Sequence, residues 1–517
     1  MLNLSIILED SARCYPAKTA FIFKEANYSY TEINNETCKV ANALRAIGIK
    51  AGDKVALSCV NHPAFPILYF GIIKTGAVVV PISYLLKQDE IEYHLRDCEA
   101  KAFFCYEGTE KMPMAKMGYE AFTAVSYCEH FVVITQDSSS PSPISGITSL
   151  YSFTQNQPDT FDTYKSNAED TCVIIYTAGT TGKPKGAELT HFGLLINALF
   201  FKDLINCNSE DVMLSAIPLF HIFGMSALLN IGIYSGITNV LLPQFDAEAA
   251  FELMEKHSVT VFAGVPTIYL KLLQYTDPKF DYNRIALNLK LCLSGGASLP
   301  LQVIDDFEKR FKVPITEGYG MSENSGAILW NQPTIGRKIG SVGIANWGVE
   351  VKLIDSEGIE VPIGEKGELI YRSPSVMKGY FNKQEQTLKA IKNGWLYSGD
   401  IAIKDEDGYY FIVDRTNDMI NRAGEKVYPR EVEEVIIKHE QVSLVAVIGI
   451  PHKEFGQEIK AFVVLKQGQS ISEKDLIAWT KEKIASYKCP SQIEFITTMP
   501  VSATGKILKK ELRSNLS

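Results

Sequence analysis

Residues 176–191 read YTAGTTGKPKGAELTH and follow directly on the apolar run Val173-Ile174-Ile175. Sixteen positions hold three glycines, four threonines, two lysines and a proline. The β-branched run specifies a strand, and the glycines and proline end it. Glycines let the main chain approach an anion closely, successive amides form a nest, and Thr177, Thr180, Thr181 and Lys183 add donors. A polyphosphate suits such a loop. The Walker pattern does not fit, because Gly179 and Gly182 are separated by two residues and Lys183 is followed by Pro184 in place of a magnesium-binding hydroxyl.

On both sides of this loop, short apolar runs that end in turn residues alternate with helical patterns. Lys54–Val60, Ala77–Val80, Thr171–Tyr176, Val212–Ile217, Val259–Ala263 and Lys290–Leu293 read as strands. Ala247–His257 and Leu301–Phe311 read as amphipathic helices. Such alternation predicts an α/β body of parallel sheets covered by helices, with ligands beyond the carboxyl ends of the strands, where the glycine-rich loop falls. Residues 137–143, rich in serine and proline, read as a surface loop between subdomains. Further on, Gly367–Arg372, Ile401–Lys404 and Tyr409–Val413, the last two joined across Asp407-Gly408, predict a small antiparallel, barrel-like subdomain. After Asp414-Arg415 comes an α+β tail with helices Arg430–His439 and Glu473–Ala485 and strands Ser443–Ile448, Ile459–Leu465 and Ile493–Ile496. We expect a boundary near Asn417, with domains 1–416 and 417–517.

The chain has 517 residues, too many for one core, since single cores stop growing near about 250 to 300 residues. A formal net charge of -9 and no long basic cluster argue against nucleic acid as a partner. The ten cysteines form no CxxC pair and read as buried, reduced thiols of a cytoplasmic protein. The N-terminus carries Glu9 and Asp10 and no basic region, unlike a signal peptide. Ile222–Pro243 lacks charge over a spanning length, but its asparagines, serines and glycines fit a buried helix and strand better than a transmembrane segment.

The loop resembles the phosphate loop of the adenylate-forming superfamily, and the other motifs of that superfamily follow in order. They are Pro218-Leu219-Phe220-His221, Ser294-Gly295-Gly296-Ala297, Glu317-Gly318-Tyr319-Gly320-Met321-Ser322-Glu323, Tyr397-Ser398-Gly399-Asp400, Asp414-Arg415 and Thr504-Gly505-Lys506. The runs around His221, Trp347 and Tyr380 are most similar to bacterial fatty acyl-CoA ligases. The resemblance covers essentially the whole chain.

It implies an enzyme that activates a carboxylic acid with ATP through an acyl-adenylate, releases pyrophosphate and passes the acyl group to coenzyme A. Thr177, Ala178, Gly179, Thr180, Thr181, Gly182 and Lys183 would hold the phosphates, and Mg²⁺ would lie near Thr177 and Glu323, as a hard cation suits oxygen ligands. Tyr319 would stack on adenine, with Gly295, Gly296 and Ala297 closing around the base and Glu317, Gly318 and Gly320 beside it. Ser322 would donate to the α-phosphate, and Asp400 with Arg415 would grip the ribose. Lys506, on a mobile small domain, would offset the repulsion between carboxylate and α-phosphate; it counts with His221 and Glu323 as catalytic. The small domain would then rotate about Asn417, bringing Gly424 and its neighbours to line a pantetheine tunnel.

His221 stands where amino-acid-activating members place an aspartate, and Phe223, Met225, Val265, Ile268 and Ile328 are apolar, which favours an aliphatic or aryl acid. A medium- or long-chain fatty acid is the first expectation and an aryl acid the second. A carrier-protein pantetheine stays open as acceptor, and so does homodimer formation.

Overall fold

The computed structural model describes residues 2–137, 139–177, 183–333, 335–416, 418–423, 425–502 and 504–514. Among them, four sheets organise the chain.

In the largest sheet the strands Thr238–Leu241, Val212–Ser215, Val261–Gly264, Leu291–Ser294 and Ile315–Met321 run parallel in that spatial order. Their residues are mostly apolar and buried, as strands covered on both faces require. Gly326–Trp330 then turns back antiparallel to Ile315–Met321, and this reversal creates the turn that carries Ser322 and Glu323. Leu301–Phe311 covers the sheet with Val303, Ile304, Phe307 and Phe311 buried, and it ends at Lys312 in the left-handed conformation (φ 56°).

A second sheet has the order Thr148–Ser149, His130–Ile134, Ala100–Tyr106, Lys54–Ser58, Val78–Pro81, Thr171–Thr177 and Lys185–Thr190. Helix Ala64–Lys74 is buried nearly all round, consistent with its lack of a polar face. Helix Tyr30–Ala46 begins with a capping box between Ser29 and Glu32. Thr171–Thr177 and Lys185–Thr190 form an antiparallel hairpin at the sheet edge, so the glycine-rich loop joins two strands, the second of which was not anticipated. One expectation is corrected here. The loop 137–143 joins strands of the same sheet and separates no subdomains; Ser138 lies outside the described residues.

The segment Ile222–Pro243 folds as a π-helical turn Gly224–Asn230, a short helix Ile231–Tyr234 and the strand Thr238–Leu241. Among the described residues no helix is long and apolar enough to cross a membrane. Nine cysteines are buried free thiols and Cys14 is exposed.

The third sheet is a curled antiparallel unit of Glu350–Ile354, Lys366–Arg372, Trp395–Lys404, Ile391–Lys392 and Tyr410–Arg415. The tail forms the fourth, in which Val442–His452 pairs antiparallel with Gly456–Leu465 and Gln492–Phe495 joins parallel. Its helix Pro429–Ile436 buries Val432 and Ile436 in a core separate from that of the body. Asn417, the expected pivot, lies outside the described residues.

Candidate active site

The strand pairing between Trp395–Lys404 and Tyr410–Arg415 sets Asp400 directly opposite Arg415. Residues opposed across an antiparallel ladder lie close enough to interact, and here the Arg415 Nε lies 3.3 Å from the Asp400 Oδ1. Asp400 is buried, and its other carboxylate oxygen accepts from the Tyr319 hydroxyl. Three of the expected nucleotide residues therefore meet, although they come from two sheets. Tyr319 sits on Ile315–Met321, the strand that follows Leu291–Ser294 in the sheet, so the loop Gly295-Gly296-Ala297 leaves the neighbouring strand end beside it. Gly295 is buried toward the Phe223 ring, whereas Gly296 and Ala297 are exposed.

Gly318 is required by a close approach. A Cβ there would fall 1.9 Å from Trp330 Cε3, so the indole ring occupies the space any larger residue would need. Gly320 packs equally closely on the main chain of Gly326. Glu317 is buried, its Oε1 accepts from the Leu299 amide at 3.1 Å, and burial pushes its pKa up to about 7. Its side chain thus ties down the loop that follows Ala297, a role beyond the expected place at the base edge.

Glu323 is buried as well, and its Oε1 accepts from the Tyr380 hydroxyl at 2.8 Å. Ser322 precedes it at the start of a single 3₁₀ turn. Thr177 ends its strand opposite Lys185, so it stands where the glycine-rich loop departs. Among the described residues no group of three His, Cys, Asp or Glu side chains could hold a metal. One buried carboxylate on a turn packed against the strands that flank the glycine-rich loop fits Mg²⁺, which keeps waters and binds through one or two carboxylates plus substrate phosphates. Ala178, Gly179, Thr180, Thr181 and Gly182 lie outside the described residues, as does Gly424. Lys183 stands over the Tyr93 ring at 5.0 Å, and the Tyr93 hydroxyl donates to the Pro184 carbonyl at 2.7 Å.

His221 follows a sharp turn in which its amide donates to the Pro218 carbonyl. Its Nδ1 accepts from the Phe223 amide at 3.2 Å, which leaves the proton on Nε2. Burial, and then the charge of Lys506, hold its pKa down at about 4, so the ring is a neutral donor near pH 7. Of the apolar residues expected near it, Met225 and Ile328 are fully enclosed, Val265 and Ile268 nearly so, and Phe223 is half-buried; the Met225 amide donates to the His221 carbonyl.

Lys506 reaches this group from the tail. Gly505 adopts φ +78°, and a Cβ there would meet the Thr267 hydroxyl at 2.3 Å; the Gly505 carbonyl accepts from that hydroxyl at 3.1 Å. Lys506 keeps solvent contact, yet the protein mass around its ammonium, and then the Arg415 guanidinium, push its pKa down to about 8, while Asp400 and Asp418 act in the opposite sense. Such depression marks a cation whose desolvation outweighs the counter-charges beside it. Three residues of the site were missed in the sequence: Lys185, Tyr380 and Thr267. Lys185 shares the glycine-rich loop motif and Tyr380 lies in a quoted run, so each had a signal; Thr267 had none, because its role depends on the docked tail.

The family profile of AMP-binding enzymes matches residues 8–381, and that of the AMP-binding enzyme C-terminal domain matches residues 431–506. A long-chain-fatty-acid–CoA ligase of Bacillus subtilis (strain 168) is 34% identical, covering 99% of this chain and 94% of the relative. A feruloyl-CoA synthase of Amycolatopsis sp is 33% identical, with 97% and 96% covered. The crystal structure of the anthranilate CoA ligase AuaEII in complex with anthranoyl-AMP superposes with a TM-score of 0.91 at 32% identity, covering 99% and 97% of the two chains. With profiles matching both its body and its tail, the chain belongs to the AMP-binding enzyme family and is an AMP-forming acid–thiol ligase, which uses ATP and coenzyme A to convert an organic acid into its CoA thioester.

Proposed function

We propose that the acid is a medium- or long-chain fatty acid and that the residues gathered above divide the work of its adenylation. The observation that carries the assignment of roles is the meeting of Tyr319, Asp400 and Arg415 in the body with Lys506 from the tail. Tyr319 offers a flat face for adenine, the buried Asp400 carboxylate accepts from ribose hydroxyls, and Arg415 neutralises it.

The carboxylate oxygen of the acid attacks the α-phosphorus, and the bond to the β-phosphate oxygen breaks as pyrophosphate leaves. Two anions approach in that step. The Lys506 ammonium, placed between them, offsets the repulsion; at about 4 Å and an effective dielectric of about 20 each charge pair contributes about 4 kcal/mol before desolvation. The neutral His221, with its proton on Nε2, suits a carboxylate oxygen without adding a second cation beside Lys506. Thr177, Lys183 and the main chain of residues 178–182 would cradle the β- and γ-phosphates. Mg²⁺, held by Glu323 with the Thr177 hydroxyl nearby, would neutralise phosphate charge. The tail would then rotate about Asn417 and bring the loop around Gly424 to the pantetheine arm, whose thiolate displaces AMP from the acyl carbon.

For the acid, support comes from the uncharged residues around His221 and from the similarity to the Bacillus ligase. The likeness to a feruloyl-CoA synthase keeps an aryl acid as the second reading. A panel of straight-chain and aryl acids, assayed for AMP release with CoA present, separates them. We expect activity to climb with chain length, since each buried methylene is worth about 0.8 kcal/mol. Faster turnover of cinnamate-type acids than of any fatty acid would overturn the first reading.

A further inference from the structure

The segment 375–383 is built as a clasp over the phosphate site. Its main chain zips onto the outer strand of the loop hairpin: the Lys378 amide donates to the Glu188 carbonyl at 2.9 Å, the Glu188 amide to the Gly379 carbonyl at 3.0 Å, and the Phe381 amide to the Gly186 carbonyl at 2.8 Å. On its other side the Met377 amide donates to the Glu323 carbonyl at 2.8 Å, and the Ser325 hydroxyl donates to the Ser375 carbonyl at 3.0 Å. The Lys383 ammonium, 2.7 Å from Asp97 Oδ1, pins its end to the body. One short segment therefore binds the loop hairpin and the Glu323 turn to each other.

Tyr380 lies at the centre of this clasp and is buried. Its hydroxyl donates to Glu323 Oε1 at 2.8 Å, and its ring carries the Lys185 ammonium 3.9 Å from the centroid. A hydroxyl donor that occupies one carboxylate oxygen fixes the carboxylate plane and leaves the other oxygen to a cation. A ring face holds a cation by its quadrupole without neutralising it, so Lys185 keeps its charge for an anion.

We propose that Tyr380 is a positioning residue for MgATP: through its hydroxyl it orients Glu323 toward the metal, and through its ring it aims Lys185 at the triphosphate. The proposal rests on the reading of Glu323 as the magnesium residue. Its distinctive consequence is a split between two parts of one side chain, the hydroxyl acting on the metal and the ring acting on phosphate charge.

Calorimetric titration of ATP into the full-length protein, once with MgCl₂ and once with EDTA, tests this without turnover. Tyr380→Phe keeps the ring and should weaken MgATP binding by about tenfold, in line with loss of one hydrogen bond to a charged group. Metal-free ATP should bind within twofold of wild type. In pyrophosphate exchange the Mg²⁺ concentration for half-maximal rate should rise by a similar factor. Lys185→Met should instead weaken ATP equally with and without Mg²⁺. The proposal is overturned if Tyr380→Phe loses MgATP and metal-free ATP alike, or if its Mg²⁺ dependence matches wild type while Glu323→Gln shifts it. Should Glu323→Gln itself leave Mg²⁺ dependence unchanged, the metal reading fails and the positioning role with it.

Discussion

The Thr267 hydroxyl donates to the Gly505 carbonyl at 3.1 Å, joining the helix Pro266–Gln274 of the body to the turn that carries Lys506. Since Gly505 sits at φ +78° and the same hydroxyl fills the space a Cβ would need, the contact is both a hydrogen bond and a steric fit. The contact holds Lys506 where the charges of Arg415 and Asp400 act on its ammonium, as the proposed role in adenylation requires.

From this contact follows a division between half-reactions. Thr267→Val should slow fatty-acid-dependent pyrophosphate exchange by about three- to tenfold, as expected for one hydrogen bond. Thioester formation from preformed acyl-adenylate should be unchanged. Equal loss in both assays would show that Thr267 serves stability alone.

Lys506→Ala removes the cation itself. Adenylation should fall by roughly two to three orders of magnitude, with the thioester step spared. A folded variant in which both steps collapse together would refute the assignment.

The same lysine sets a pH dependence. In the proposed role its ammonium is the active form, and its pKa is lowered to about 8 from the usual 10.5, so adenylation should decline as pH rises through about 8. Lys506→Arg keeps its charge throughout this range and should lack the alkaline limb, whatever its absolute rate. A wild-type rate that holds flat up to pH 10 would contradict this.

Glu317 makes stability depend on pH. Its pKa is raised from 4.5 to about 7, so the folded protein holds a proton that the unfolded chain releases between those values. The favourable contribution of the neutral form is complete below about 4.5 and lost as pH climbs through 7, by roughly 3 kcal/mol at most. Glu317→Gln is neutral at every pH and can still accept from Leu299. Its melting temperature relative to wild type should therefore rise between pH 5 and pH 8. A constant difference would mean the carboxyl is ionised in the fold.

The approach of Gly318 to Trp330 gives a packing test. Gly318→Ala should cost about 3 kcal/mol through overpacking, measured by denaturant unfolding. Combined with Trp330→Leu, the loss should be smaller than the sum of the two single changes, because the shortened side chain makes room. Strict additivity would place the strain elsewhere.

Much of this architecture was legible from residue patterns. Leu301–Phe311 carries its apolar residues at helical spacing, and its observed bounds equal the expected ones. Buried parallel strands such as Val212–Ser215 read as apolar runs, and the hairpin across Asp407-Gly408 was legible because glycine there adopts the positive φ the turn needs. The hairpin Thr171–Thr177 with Lys185–Thr190 was not, since the second strand, KGAELT, has no strong apolar alternation and gains its partners only from the sheet edge.

Local chemistry along the chain thus determined by itself the buried apolar strands and the amphipathic helices such as Leu301–Phe311, where the glycine-rich loop lies, and which acids, bases and hydroxyls are available for nucleotide chemistry. Those properties depend on neighbours a few residues apart. Only the tertiary structure decided that Asp400 is shared by Tyr319 and Arg415, that Tyr380 braces Glu323 and Lys185, and that Thr267 receives the Lys506 turn. Each of these joins residues at least 15 positions apart, most of them far more. Their proximity is set by strand order, register and the docking of the tail, and no local pattern encodes these.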